Sequence, residues 1–341
     1  MVHVGRRLGS RPNRPESCSM PQRGCNVKHG IWIKIAVSVG LLGWLLAGVD
    51  LPRLRAILAG IPAGEGFLVV GLYCAAWLVN AAKWKTLLGR HSYLRLFALT
   101  MIGQFYALVL PGQIAGEAVK AWKLIGRTGE IAPAVSSVLM DRVVGVVSLL
   151  WVGLVGASVT ETTAGIRWTV VFGTLLAGIA LAAFLMRLHP CRARSRNAVT
   201  AIGDRFPRAA GFAGTLVKCI DAWVEILQSP ARLALAMALG VVFQCLAVFI
   251  LYRIAASIGL QIAFVDWCWI FTAVSLLLLL PVTIGGIGLR EGGYVALLAG
   301  LGVPGEKALA CSLALFGLQL LSAAAGAVLD LVLILRERSE A

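Results

Sequence analysis

The chain has 341 residues, of which 59% are hydrophobic and 14% charged, and its mean hydropathy is +0.86. Soluble domains carry about a quarter charged residues, so this composition excludes a water-facing globular surface and makes lipid the natural solvent. The formal net charge of +15 sits in blocks between apolar runs, which is the pattern of cytoplasmic loops and not of a nucleic-acid-binding face.

Residues 1–30 are polar and basic, with Arg6, Arg7, Arg11, Arg14, Arg23 and Lys28 against Glu16. They read as a disordered cytoplasmic tail. The apolar run 31–49 is longer than a signal-peptide core and is followed by no small-x-small cleavage site, so it reads as an uncleaved first span. A helix needs about 20 apolar residues to cross a bilayer. On that measure 67–88, 134–158, 168–187, 231–254 and 307–335 are the further candidate spans.

Two apolar segments are different. Leu96–Leu110 is halted by Pro111-Gly112, and Phe264–Leu280 by Pro281 and then Gly285-Gly286-Ile287-Gly288. The basic connections are the N-terminal tail, Lys83 to Arg95, Lys120 to Arg127, Arg187 to Arg208 and Arg336 to Arg338. Placing all of them in the cytoplasm works if each broken segment enters and leaves on one side. The expectation is an all-α, polytopic transmembrane bundle of six full spans and two re-entrant hairpins. The first hairpin, about 96–126, enters from the cytoplasm; the second, about 264–303, enters from outside. The alternative makes every hairpin arm a full span, up to ten. The transmembrane domain runs over 31–335, and within its cytoplasmic loop, 188–230, the stretch 197–228 alternates apolar and charged residues as an interfacial amphipathic helix or a packed cap would. Residues 336–341 form a short cytoplasmic tail.

The two breaks match. Pro111-Gly112-Gln113-Ile114-Ala115-Gly116 and Pro281-Val282-Thr283-Ile284-Gly285-Gly286 share Pro-x-x-Ile-small-Gly and lie 170 residues apart. Charge follows each: Glu117 and Lys120 after the first, Arg290 and Glu291 after the second. Paired, Pro/Gly-interrupted segments of opposite entry are the pattern of an inverted-repeat transporter. Helix ends at such breaks hold ionic groups, and an anionic lipid headgroup suits exposed N–H groups and Arg290. The competing reading is helix packing, since Gly112/Gly116 and Gly288/Gly292 have GxxxG spacing.

Asp141 and Arg142 stand inside the candidate span 134–158, where an isolated charge is costly. Asp141 is expected to meet Lys120 or Arg290, and Arg142 to meet Glu117 or Glu291, with a purely structural ion pair as the competing role. Lys83 and Lys85 are expected to snorkel to the interface, Arg253 and Asp330 to anchor span ends, and Gln244 to bond a neighbouring helix. The eight cysteines form no CxxC pair and the four histidines no HxxxH, so neither a metal nor a disulfide framework is implied and no cofactor is expected.

The sequence resembles the lysylphosphatidylglycerol synthase transmembrane-region family, the flippase-like domain of MprF-type proteins with stand-alone HpnL-like members. The resemblance rests on Leu110-Pro111-Gly112-Gln113-Ile114-Ala115-Gly116-Glu117, on Ser137 to Arg142, and on Leu280 to Glu291, in that order within 31–335. It implies a multi-pass inner-membrane protein associated with moving lipids between leaflets; the loop charges place both termini in the cytoplasm. The synthase chemistry of MprF-type proteins belongs to a soluble domain that does not follow Leu335 here, so it is not carried over.

The expected path for the lipid takes in Pro111, Gly112, Gly116, Glu117, Lys120, Asp141, Arg142, Pro281, Gly285, Gly286, Gly288, Arg290 and Glu291. No GxxxxGK[ST] and no DxD motif is present, and no catalytic constellation stands out. The alternatives are a membrane-embedded transferase acting on a lipid-linked sugar or headgroup, and a non-catalytic partner of a lipid-synthesis enzyme.

Overall fold

The computed structural model describes residues 52, 56–57, 59–89, 91–110, 113–128, 131–188, 197–201, 205, 217–218, 221, 224, 228–280, 282–283 and 285–339. The expected basic tail, the span 31–49, Pro111, Gly112, Pro281 and most of the amphipathic stretch 197–228 lie outside them.

Among the described residues the protein is helical, without strands. In chain order the helices are α1 (Ala63–Leu88), α2 (Tyr93–Val109), α3 (Gln113–Thr128), α4 (Ile131–Val159), α5 (Thr163–Arg187), α6 (Pro230–Ser257), α7 (Phe264–Leu278), α8 (Leu289–Ala299) and α9 (Gly305–Ser339). α1, α4, α5, α6 and α9 are long and apolar enough to cross a membrane. They match the five described candidate spans to within a few residues. The protein is thus an all-α polytopic membrane protein.

α2, α3, α7 and α8 have 17, 16, 15 and 11 residues. At about 1.5 Å per residue the longest covers roughly 25 Å and the shortest roughly 16 Å, less than a hydrocarbon core of about 30 Å. The arms pair as hairpins, α2 on α3 and α7 on α8. Short, paired arms are what the re-entrant layout requires.

The order of elements repeats as long helix, hairpin, long helix: α1, α2–α3, α4 and then α6, α7–α8, α9. Connections of a few residues make each hairpin start and end on one face of the bundle. α1 and α6 pack side by side, and Arg253 near the end of α6 meets Glu65 at the start of α1, so they run in opposite directions. The second repeat is therefore inverted relative to the first.

The repeats interlock. α4, which follows the first hairpin, packs on α7, the first arm of the second; α9, which follows the second hairpin, packs on α2. Glycine makes both crossings. A Cβ at Gly156 would stand 2.6 Å from the Val265 carbonyl oxygen, and one at Gly326 would stand 2.1 Å from that of Met101. Gly156 and Gly326 are 170 residues apart, the spacing of Pro111 from Pro281. The main apolar core forms where α4, α6, α7, α8 and α9 meet, around Trp267, Trp269, Leu251, Tyr294 and Phe172 of α5.

Within the first hairpin α3 is amphipathic. Gly116, Lys120, Ala121 and Leu124 are buried, whereas Ala118, Trp122 and Gly126 are exposed. Gly116 lets the two arms touch, because a Cβ there would lie 2.2 Å from the Gly103 carbonyl oxygen. Gly116→Ala should therefore cost about 2 kcal/mol by overpacking. Gly126→Ala, which meets nothing within 4 Å, should be neutral or stabilise slightly. Thermal unfolding of the detergent-solubilised variants checks the contrast.

Candidate functional site

Lys83, Glu117 and Lys120 of the first repeat converge on Asp141 and Arg142 of α4. Ser137, Asp141, Gly145 and Ser148 follow a three-and-four spacing, which aligns them in a stripe. α1, α3 and α6 close on this stripe. Trp84 Nε1 donates to Ser137 Oγ at 3.4 Å, and Gln244 Nε2 to the Gly145 carbonyl at 3.2 Å. Gly240 sits where a Cβ would come within 2.3 Å of Ser148 Oγ.

At Asp141, Lys83 Nζ of α1 lies 3.1 Å from Oδ1 and donates to the Asp141 backbone carbonyl at 3.3 Å. Lys120 Nζ of α3 lies 3.7 Å from Asp141 Oδ2, 3.0 Å from Glu117 Oε2 and 4.3 Å from the centre of the Trp84 ring. Arg142 Nη2 donates to Glu117 Oε1 at 2.8 Å. Three cations thus meet two carboxylates across α1, α3 and α4. The side chains of Lys83 and Lys120 are 4% and 3% exposed, and that of Arg142 is 38% exposed.

The second break is built differently. Gly285, Gly286 and Gly288 have φ of +61°, +78° and +83°, a region that glycine enters without the Cβ penalty. Gly288 N–H donates to Glu291 Oε2 at 2.7 Å, and Ser312 Oγ of α9 donates to Glu291 Oε1 at 3.1 Å. Arg290 donates to the Gly285 carbonyl at 3.3 Å and to Gln319 Oε1 at 2.8 Å, and stacks 5.0 Å from the Phe316 ring. Arg290 and Glu291 therefore satisfy the irregular backbone, the requirement for a break inside a membrane protein. The second break also reaches the first hairpin: a Cβ at Gly285 would be 3.1 Å from Leu108 Cδ1, in the last turn of α2.

A cleft joins the two regions. A chamber of about 230 Å³ is lined by Asn80, Lys83, Glu117, Asp141, Arg142 and Gln244, among others. A second of about 260 Å³ reaches Tyr73, Arg290, Tyr294 and Gln319. Trp77, Gln104, Phe243, Phe271 and Ser275 line both. Lys120 and Arg290, each nine residues after its proline, occupy equivalent places in the two repeats.

Of the alternative pairings, Asp141 takes Lys120 and not Arg290, and Arg142 takes Glu117 and not Glu291. Lys83 corrects the snorkelling expectation, since it is buried against Asp141. Asp330 likewise is no surface anchor: it is buried, with Lys123 Nζ at 2.5 Å and Tyr106 Oη at 2.9 Å. Gly288 is not a crossing glycine but the cap of α8. Gln244 makes the expected interhelical bond.

Sequence reasoning missed Asn80, Lys83, Gln104, Ser275 and Gln319 as lining residues. Their signal is a polar side chain within an apolar helix, with Asn80 and Lys83 three apart and so on one face. No group of three or more His, Cys, Asp or Glu side chains that would hold a metal occurs among the described residues.

Interlocked inverted hairpins around a polar cleft define the class as a multi-pass helical membrane protein. Residues 31–326 match the family described as lysylphosphatidylglycerol synthase TM region, and the chain belongs to that family. No curated protein and no solved structure matches.

Leaving one partner of a buried ion pair unpaired costs about 3–5 kcal/mol. Asp141→Asn and Lys83→Met should each destabilise by about 3 kcal/mol, and the double variant by clearly less than the sum of the two. A double-mutant cycle on unfolding midpoints in detergent measures the coupling.

Proposed function

We propose that the protein is a flippase-like transporter that moves a lipid between the leaflets of a bacterial inner membrane. The headgroup crosses through the cleft while the tails stay in the bilayer. The observation that carries this reading is the cleft itself. Its two chambers share five lining residues; Lys83 and Arg142 bring positive charge to the first and Arg290 to the second. Charges at this depth in a membrane protein mark substrate paths more often than bulk packing. Membership of the family supports a lipid as the cargo.

On this reading the basic connections face the cytoplasm, the charged chamber near Lys83 and Arg142 takes the headgroup from the inner leaflet, and the chamber near Arg290 and Gln319 delivers it to the outer. The protein carries out no bond-making step in this scheme; it lowers the barrier by replacing the water around a headgroup with fixed donors. The same lining would also serve movement in the reverse direction.

The purified full-length chain in phosphatidylcholine liposomes, with trace fluorescent lipids and an impermeant quencher, tests the proposal. Accelerated loss of inner-leaflet fluorescence relative to protein-free liposomes is expected. No acceleration over a panel of phospholipids and glycolipids would overturn it.

A further inference from the structure

We infer that Arg142 is the headgroup-reading residue of the cleft, and that the group it reads is the phosphate of a lipid carrying one net negative charge. The inference rests on the transport reading above and names its substrate class.

Among the described residues whose ion pairs meet at the first chamber, the charges do not balance. Lys83, Lys120 and Arg142 contribute three positive charges, and Glu117 and Asp141 two negative ones. The other described ion pairs inside the bundle do balance: Lys123 with Asp330, Arg253 with Glu65, Arg290 with Glu291. An uncompensated charge away from water is expensive unless a counter-charge joins it. The surplus of one matches one anionic group.

The surplus is also presented at one place. Lys83 and Lys120 are buried and committed to Asp141, Glu117 and the Trp84 ring. Arg142 is the most exposed of the three, lines the chamber, and uses Nη2 on Glu117. Its side chain is 38% exposed, which leaves part of its planar fork open to a ligand among the described residues. A guanidinium grips a phosphate through two parallel N–H···O bonds, which a lysine ammonium does not reproduce.

Neutral amides of Asn80, Gln104 and Gln244 complete the polar lining. A zwitterionic headgroup would bring an ammonium against a site that is already net positive. An anionic phosphodiester with a neutral alcohol brings no such repulsion.

The test measures binding and transport separately on the full-length protein. In neutral detergent, short-chain phosphatidylglycerol should raise the unfolding midpoint of the wild type more than short-chain phosphatidylcholine does. Arg142→Gln should remove the difference, Arg142→Lys should keep only part of it, and Glu117→Gln, which raises the local charge to a surplus of two, should enlarge it. In phosphatidylcholine liposomes, fluorescent phosphatidylglycerol should cross about tenfold faster than fluorescent phosphatidylcholine, and Arg142→Lys should narrow that ratio.

Equal stabilisation by the two lipids, or a ratio unchanged in both Arg142→Lys and Glu117→Gln, overturns the inference while leaving transport intact. Stabilisation by millimolar inorganic phosphate as large as that by phosphatidylglycerol assigns the site to the free ion and overturns the lipid assignment. Selective binding with no movement of either lipid supports Arg142 as the reader and defeats the transport reading alone.

Discussion

A peptide group that loses its hydrogen-bond partner in hydrocarbon costs several kcal/mol, and two hairpins of this protein turn within the bundle. Everything near those turns answers that cost. At the second turn the answer is explicit: Arg290 covers the Gly285 carbonyl, Glu291 takes the Gly288 N–H, and Ser312 and Gln319 of α9 hold both side chains in place. The three left-handed glycines bend the chain without a Cβ clash. The turn is therefore a rigid fitting, and its position against Leu108 sets it on the first arm of the other hairpin.

The interlocking of the halves follows. A hairpin sheltered only by its own repeat would leave its first arm facing lipid on one side. Here the long helix of the other repeat covers it, α4 on α7 and α9 on α2, and Gly156 and Gly326 bring the backbones close. Equivalent places in the repeats then took on different chemistry. Arg290 divides its donors between its own turn and Gln319 of α9. Lys120 instead belongs to a cluster reaching from α1 to α4, with one positive charge to spare and an arginine open to the cleft. One hairpin supplies a fixed frame; the other supplies a charged receptor.

Much of this was legible in the residues. Apolar runs of sufficient length marked α1, α4, α5, α6 and α9. Proline and glycine marked where hairpins replace spans, and the basic connections marked their opposite entry. The repeat was legible more widely than the proline motif suggests, because Lys120 and Arg290, and Gly156 and Gly326, keep the same 170-residue offset. What the residues did not disclose was partner choice. Lys83 near the end of an apolar helix has the pattern of a snorkelling side chain, and only the packing of α1 on α4, 58 residues further along the chain, turns it inward to Asp141. Asp330 was misread for the same reason: its partners, Lys123 and Tyr106, belong to the other repeat. Arg290 was free to choose between a distant carboxylate and its own turn, and the cost of bare carbonyls decided it.

The central claim is that the cleft between the hairpins is a wet, polar path and not a seam of tight packing. Its most direct measurement is side-chain accessibility at Ser275, which lines both chambers. In a variant freed of native cysteines, Ser275→Cys should react with a small membrane-impermeant thiol reagent in proteoliposomes. Val248→Cys, in the apolar core, should stay inert. A cysteine at 275 as inert as that at 248, from both faces of the membrane, would contradict the account.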